Sequence, residues 1–330
     1  MDFTRPIKSV AHKPLWCDSA FPSSIEKFIG NEDVCKRLYD SLGTLCSSLL
    51  LVGPHGCGKT TFAKLIAKSL LGDYYKSNLL EIYSSINRNK NYVGNKIVID
   101  NKNINDFVNN FSASFKLKLI IVYDIDTVAY DTQKIFCEIL RQKNVNIIFT
   151  SNNTHSLHEN LLCTVMTINM SSLSYNEMLN TLNVIQHEKN MLIEEDVKKA
   201  ICISCNGDLK KLFNIMQLLS GIEDNVSLDS FYKLVDIPSY ECIRELLLYC
   251  SKHEIANAFE KLNTILSNGY DSLDILDIIE KTLLYIDVVQ SSFDIEKQNH
   301  MLSVVTQCIM FKKHTRIQLY DMVREMCLIA

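Results

Sequence analysis

Apolar residues fall into two regimes along the chain. Up to about residue 170, short unbroken apolar runs alternate with stretches of helical period. Beyond it, only the helical period remains. The unbroken runs at Ser47–Val52, Lys118–Asp124 and Val145–Thr150 predict buried strands; Leu79–Tyr83 and Thr164–Asn169 predict two shorter ones. Helices are expected at Asn31–Leu42, with Val34, Leu38 and Leu42 on one face, at Phe62–Ala67, at Ile104–Phe115 and at Thr132–Gln142. Strands alternating with helices give a parallel sheet covered on both faces. Residues 1–15 are polar and aperiodic and read as a loose arm. Trp16–Gly30, with its proline and serines, reads as an extended lead-in with a capped turn at Ser23 or Ser24. From Ser174 to Gly221 three helical segments follow without a strand, and Asp229 to the end is helical with breaks at Pro238 and at Asn268-Gly269. The expected fold class is α/β: a core over 1–169, a three-helix lid over 170–226 and an all-α domain over 227–330.

One run changes the picture from fold to chemistry. Leu49-Leu50-Leu51-Val52 ends in Gly53-Pro54-His55-Gly56-Cys57-Gly58-Lys59-Thr60-Thr61, and helical period resumes at once. This is G-x-x-x-x-G-K-T in a strand–loop–helix setting, a phosphate loop. Its glycines let successive backbone N–H groups turn inward around phosphate oxygens, and the helix opening at Lys59 adds the positive end of its dipole. Lys59 is placed for the β- and γ-phosphates of ATP, and the Thr60 hydroxyl for Mg²⁺.

Composition narrows the setting. The 330 residues are 47% hydrophobic and 22% charged, an ordinary globular mix long enough for two or three cores. The net charge of −4 means that any nucleic-acid contact must come from a local basic track. Twelve cysteines are scattered, and the opening Met1-Asp2-Phe3-Thr4-Arg5 has no apolar signal core. A reducing setting, cytosol or nucleus, is therefore expected. Cys202 and Cys205, the one C-x-x-C pair, fall in a helical pattern and read as core thiols. No apolar run approaches the ~18 residues of a membrane span.

A phosphate-loop hydrolase also needs a carboxylate to hold Mg²⁺ and a group to place the attacking water, both at the end of the neighbouring strand. Asp124 and Asp126 stand there. Asn152, at the tip of the next strand, is placed to sense the γ-phosphate. Asp208 is positioned to cap a helix opening at Leu209, from which Lys210 or Lys211 reaches toward the phosphates.

Over residues 16–280 the chain resembles the small subunits of replication factor C, clamp loaders of the AAA+ class. Trp16, Pro22, Ile25, Phe28, Ile29, Gly30 and Asn31 fall at the spacing of that family's lead-in. Leu80-Glu81, Ser85 and Arg88 match a second stretch. Asn206-Gly207-Asp208-Leu209-Lys210 resembles its Gly-Asp-Met-Arg, and Val235-Asp236-Ile237-Pro238 and Asn268–Ile275 resemble its collar. The resemblance implies an AAA+ core, lid and collar, a place in a hetero-pentamer, and ATP with Mg²⁺ as cofactors. It also implies a ring-shaped sliding clamp and primer-template DNA as partners, and work in the nucleus or at a viral replication site. Arg88 and Lys96 fall at its DNA-contacting positions.

The departures are as informative. The family carries Leu-Asp-Glu-Ala-Asp after its strand. An ungapped alignment from Gln133 puts Tyr123 at the Mg²⁺ aspartate and Asp124 at the catalytic glutamate; a one-residue shift makes Asp124 the Mg²⁺ ligand and Ile125 the glutamate. Either way the acidic pair is incomplete. Thr164 stands at the arginine finger's position, Lys210 at the second sensor's arginine, and Gly94 and Cys137-Glu138 replace basic residues that face DNA. The reading is an ATP-binding subunit with weak or no hydrolysis of its own. Two alternatives stand beside it: an active ATPase with Asp124 and Asp126 sharing the acidic roles, and an unrelated DNA-remodelling AAA+ motor.

Overall fold

The run Leu119-Ile120-Ile121-Val122 is completely buried on both sides, as in a central strand of a parallel sheet. A computed structural model describes residues 15–19, 22, 28–41, 48–83, 91–93, 96–98, 104, 107, 117–141, 145–221, 225–285, 295–310 and 315–329. The chain divides into two compact units, Met1–Glu177 with Gly207–Phe213, and Met178–Asn206 with Asn214–Ala330.

In the first unit, strands β1 (Leu49–Val52), β2 (Leu79–Tyr83), β3 (Lys118–Tyr123), β4 (Val145–Ser151) and β5 (Met166–Asn169) form one parallel sheet in the order β2-β3-β4-β1-β5. Its helices include α1 (Glu32–Ser41), α2 (Lys59–Leu71), α3 (Tyr130–Ile139) and α4 (Glu159–Thr164). Alternation along β3 sends its side chains into two cores. Leu119, Ile121 and Tyr123 pack with Phe62, Ala63 and Ile66 of α2. Ile120 and Val122 pack with Phe136 and Ile139 of α3. Phe136 meets Phe149 edge-on at 5.7 Å, both fully buried.

The register brings strand ends together. Val52 lies opposite Ser151 and Asn169, and Val122 opposite Phe149. The Gly53 amide extends the ladder, donating to the Ser151 carbonyl at 3.2 Å, and the Asp124 amide donates to the side chain of Thr150, at Oγ1, at 3.0 Å. The phosphate loop, Asp124 and Asn152 therefore emerge side by side at the carboxyl edge.

The second unit is helical. Helices Tyr240–Ser251, Ile255–Ser267, Ser272–Leu284, Ile295–Met310 and Arg316–Ile329 share one core, with Ile243, Leu247, Leu262, Ile279, Val305 and Val323 at or near zero exposure. The break at Pro238 works through Ser239, whose hydroxyl accepts the Cys242 amide at 3.3 Å as an N-cap. Cys202 and Cys205 are buried in the helix Glu195–Cys205.

Three local features differ from the sequence reading. Trp16–Ser19 is a single helical turn rather than extended chain, too short for its period to show. Asn91–Val93 and Lys96–Val98 pair as an antiparallel hairpin that no alternation announced. Leu192–Ile193 and Asn225–Val226 pair in parallel in the otherwise helical region, again too briefly for a readable pattern. The arm over 1–14, the turn at Ser23 or Ser24, Arg88 and the side chain of Lys96 lie outside the described residues, as does all of the expected helix Ile104–Phe115 except positions 104 and 107.

One buried amide ties the acidic loop to the loop that follows β4. Gln133, with no exposed surface, donates from Nε2 to the carbonyls of Val128 (3.1 Å), Ser156 (3.2 Å) and Ile125 (3.4 Å). Its Oε1 accepts the His158 amide at 2.8 Å. Replacing it by Leu strands several buried backbone groups at once, each costing about 1–3 kcal/mol. Gln133→Leu is expected to lower unfolding free energy by about 2–4 kcal/mol in urea denaturation, with the m-value unchanged.

Candidate functional site

Two glycines of the phosphate loop combine a close approach with a positive φ. Gly58 has φ of +95°, and a Cβ there would stand 2.7 Å from Phe28 Cζ. Gly56 has φ of +70°, and a Cβ there would overlap the Asp208 carboxyl. Only glycine meets both demands without strain. The loop is also bonded to the chain segment packed on it: the Leu209 amide donates to the Gly56 carbonyl at 3.2 Å. Asp208 Oδ1 in turn accepts the Lys211 amide at 3.0 Å, capping the helix Leu209–Leu219 as expected.

Lys59 opens α2 and is almost wholly buried. Its ammonium donates to the carbonyls of Gly53 and Pro54, each at 2.7 Å. Charged phosphate oxygens are stronger acceptors than these neutral carbonyls, so the ammonium is poised for exchange. Cys57 has no exposed surface and sits behind the loop, with Sγ 3.9 Å from Lys59 Nζ. Burial pushes its thiol pKa up, against the pull of Lys59.

A cavity of about 530 Å³ opens in front of the loop. Its polar wall is made by His55, Lys59, Thr60, Thr61, Lys64, Asp124, Asn152 and Lys210, with Gly56 and Gly58 at the floor. Phe28, Ile29, Leu209 and Phe213 give it an apolar side. Three lysines and a histidine face one carboxylate, which suits a polyphosphate, and the apolar wall suits a base. Of the residues expected here from sequence, Gly53, Pro54 and Cys57 support the loop without lining the cavity, and Lys210 rather than Lys211 lines it. Sequence reading missed Lys64, although its position four residues after Thr60 places it on the same helical face.

The acidic side is the weak one. Tyr123 ends β3 on the face packed against α2, with its ring stacked on Tyr83 at 4.4 Å and its hydroxyl buried without a partner. Asp124, the next residue, takes a left-handed φ of +52° and lines the cavity. Burial, then the neighbouring Asp126, push its carboxyl pKa up, while Lys59, His55 and Lys210 pull it down. Asn152 Nδ2 donates to Asp126 Oδ2 at 3.4 Å, leaving Asn152 Oδ1 and Asp126 Oδ1 buried without partners. The Thr60 hydroxyl and Asp124 are thus the groups available to Mg²⁺, while a neutral phenol occupies the strand end facing the phosphate-binding helix. The residues fit a nucleotide; they do not fit a firmly anchored metal.

The remaining expected positions sit apart from the cavity. Thr164 is exposed at the end of α4, its hydroxyl donating to the Asn160 carbonyl at 2.6 Å. Glu138 is exposed on α3, and Cys137 beside it is half-buried.

Comparison with known proteins places this geometry in a class. Residues 49–173 match the ATPase family associated with various cellular activities, AAA, and form an AAA domain. Over most of its length the chain is similar to replication factor C small subunits. It is 24% identical over 280 residues to replication factor C small subunit 2 of Pyrobaculum islandicum, covering 83% of this chain and 85% of that one. It is 22% identical over 323 residues to the probable replication factor C subunit 2 of Dictyostelium discoideum, covering 96% and 92%. Among solved structures, the RuvB Holliday junction branch migration motor of Thermotoga maritima shares the fold, with a TM-score of 0.53 and 15% identity over 81% of this chain and 91% of that one. The match of residues 49–173 to the AAA family implies nucleotide binding at the loop. No helix among the described residues is long and apolar enough to cross a membrane.

Because the Asp124 carboxyl is harder to ionise in the folded chain than in the unfolded one, its charge costs stability above the ordinary carboxylate pKa of ~3.9. Asp124→Asn should raise Tm by about 1–3 °C at pH 7, discounted for partial exposure. The gain should vanish below pH ~4, where both states are protonated. Calorimetric scans of both proteins across that range check it.

Proposed function

We propose that this chain is a small subunit of a replication factor C-like clamp loader that binds ATP and hydrolyses it weakly or not at all. One observation carries the reading: a complete phosphate loop faces a strand end where Tyr123 replaces the acidic group, with Thr164 at the position of the finger that would serve a neighbour. An arginine finger is worth about 10³–10⁵ in rate in related phosphoryl transfers, so its loss alone changes what the subunit contributes. In this reading the chain holds a place in a hetero-pentamer and helps load a ring-shaped sliding clamp onto primer-template DNA, in the nucleus or at a viral replication site. Similarity to replication factor C small subunits over 83–96% of the chain supports the assembly. The exposed Met310, Ile317 and Leu328 of the helical unit support a packing face for sister subunits. Arg88 and Lys96 would contribute modestly to DNA contact. The domain plan fitting this role is a core over 1–169, a lid over 170–226 and a collar over 227–330.

A second reading, in which Asp124 and Asp126 share the Mg²⁺ and water-placing roles, is favoured by the Asn152–Asp126 contact and by the unpartnered oxygens beside it. A homo-oligomeric motor is disfavoured, because identical neighbours with Thr164 would complete no site.

Lys59→Ala should weaken binding of a fluorescent ATP analogue by at least about tenfold, since a charge-assisted contact to phosphate is lost. In a reconstituted complex the same substitution should leave most of the ATP turnover intact. Robust turnover that disappears with Lys59→Ala in this chain alone would overturn the weak-hydrolysis reading. A tenfold loss of that turnover in Asp124→Asn would establish the second.

A further inference from the structure

We propose that this phosphate loop binds nucleotide without requiring a divalent metal, with the Lys64 ammonium supplying part of the positive charge that the phosphates need. The proposal rests on the reading of the loop as a nucleotide site and goes further by assigning the charge that neutralises the phosphates.

Lys64 lies one turn beyond Thr60 on the same face of α2 and lines the same cavity. Its Nζ stands 5.7 Å from the centre of the Tyr123 ring and 5.9 Å from that of Tyr83, over both faces. Tyr123 is the last residue of β3 and lies on the face that packs against α2. Glu81 fixes the ammonium there, 3.7 Å away. The same carboxylate accepts the Tyr83 hydroxyl at 2.5 Å and the Tyr75 hydroxyl at 3.4 Å, so its oxygens are already engaged.

The charges agree with the geometry. Burial works against the Lys64 charge, but Tyr83 and Glu81 outweigh it and hold the ammonium above the usual lysine pKa. Tyr123 is a phenol, a neutral group at working pH, and offers no charge to a cation. A divalent cation on this side of Thr60 would meet a neutral phenol and a fixed ammonium. A triphosphate would meet three cations lining the cavity, Lys59, Lys64 and Lys210. Asp124, the carboxylate left in the cavity, has Lys59, His55 and Lys210 as its own charge partners.

The test titrates the full chain with a fluorescent ATP analogue in saturating Mg²⁺ and in excess EDTA. Wild type should bind with Kd values within about threefold of each other. Lys64→Gln should weaken binding in EDTA by about tenfold, as loss of one charge-assisted contact does, and Lys64→Arg should restore it. Tyr123→Asp should convert the site, so that EDTA weakens its binding by tenfold or more. If wild-type affinity falls tenfold or more in EDTA and Lys64→Gln behaves as wild type, the proposal is wrong while the nucleotide site stands. If wild type binds in neither condition, both fall. Retention of the wild-type thermal transition in Lys64→Arg and Tyr123→Asp keeps either result interpretable.

Discussion

Everything at the cavity depends on hydrogen-bond register. Strand β1 is held in parallel between β4 and β5, and β4 holds β3 in the same sense. The Gly53 amide continues one ladder onto the Ser151 carbonyl and the Asp124 amide is caught by the Thr150 hydroxyl, so both loops begin against β4. A slip of one residue in any pair would turn each strand's side chains to the opposite core. Specific packing opposes that slip, since Ile121 and Ile120 are fitted into different clusters on opposite sides of the sheet. The site is therefore specified by hydrophobic burial some distance away from it.

On that frame the electrostatics are lopsided. The chain builds its anion-binding half fully: glycines that admit close packing, a buried lysine, two further lysines and a helix start. The acidic half is thin. One aspartate faces the cavity, a second sits behind it against Asn152, and the strand end that would complete the set carries a phenol packed among phenols. Burying a neutral ring there costs little, whereas a buried carboxylate would need either a metal or the neighbouring ammonium as partner. Tyr123 and Lys64 thus form a self-consistent pair, which argues for a settled arrangement rather than simple decay of a motif.

Much of this was legible in the sequence. The phosphate loop announced itself because its glycines, lysine and threonine are adjacent in the chain. The strands announced themselves because continuous burial leaves continuous apolar runs. Asn152 and Lys210 were found from their places at a strand tip and a helix start. Lys64, Phe28 and Phe213 were not, because their roles arise from where separate elements meet. The work of Gln133 was equally hidden: one amide satisfying carbonyls of two separate loops leaves no local pattern. Short elements such as Trp16–Ser19 escaped because a single turn carries no period.

The cysteines carry a last consequence, for reactivity. A thiol inside a phosphate loop invites the thought that oxidants or alkylating reagents would disable nucleotide binding. Cys57 has no exposed surface and a raised pKa, so little thiolate is presented to any reagent. Cys163, exposed beside Thr164 at the end of α4, is the most accessible thiol among the described residues. Mild oxidation should therefore mark the exposed end of α4 and spare the phosphate loop, separating redox change at the surface from redox damage to ligand binding.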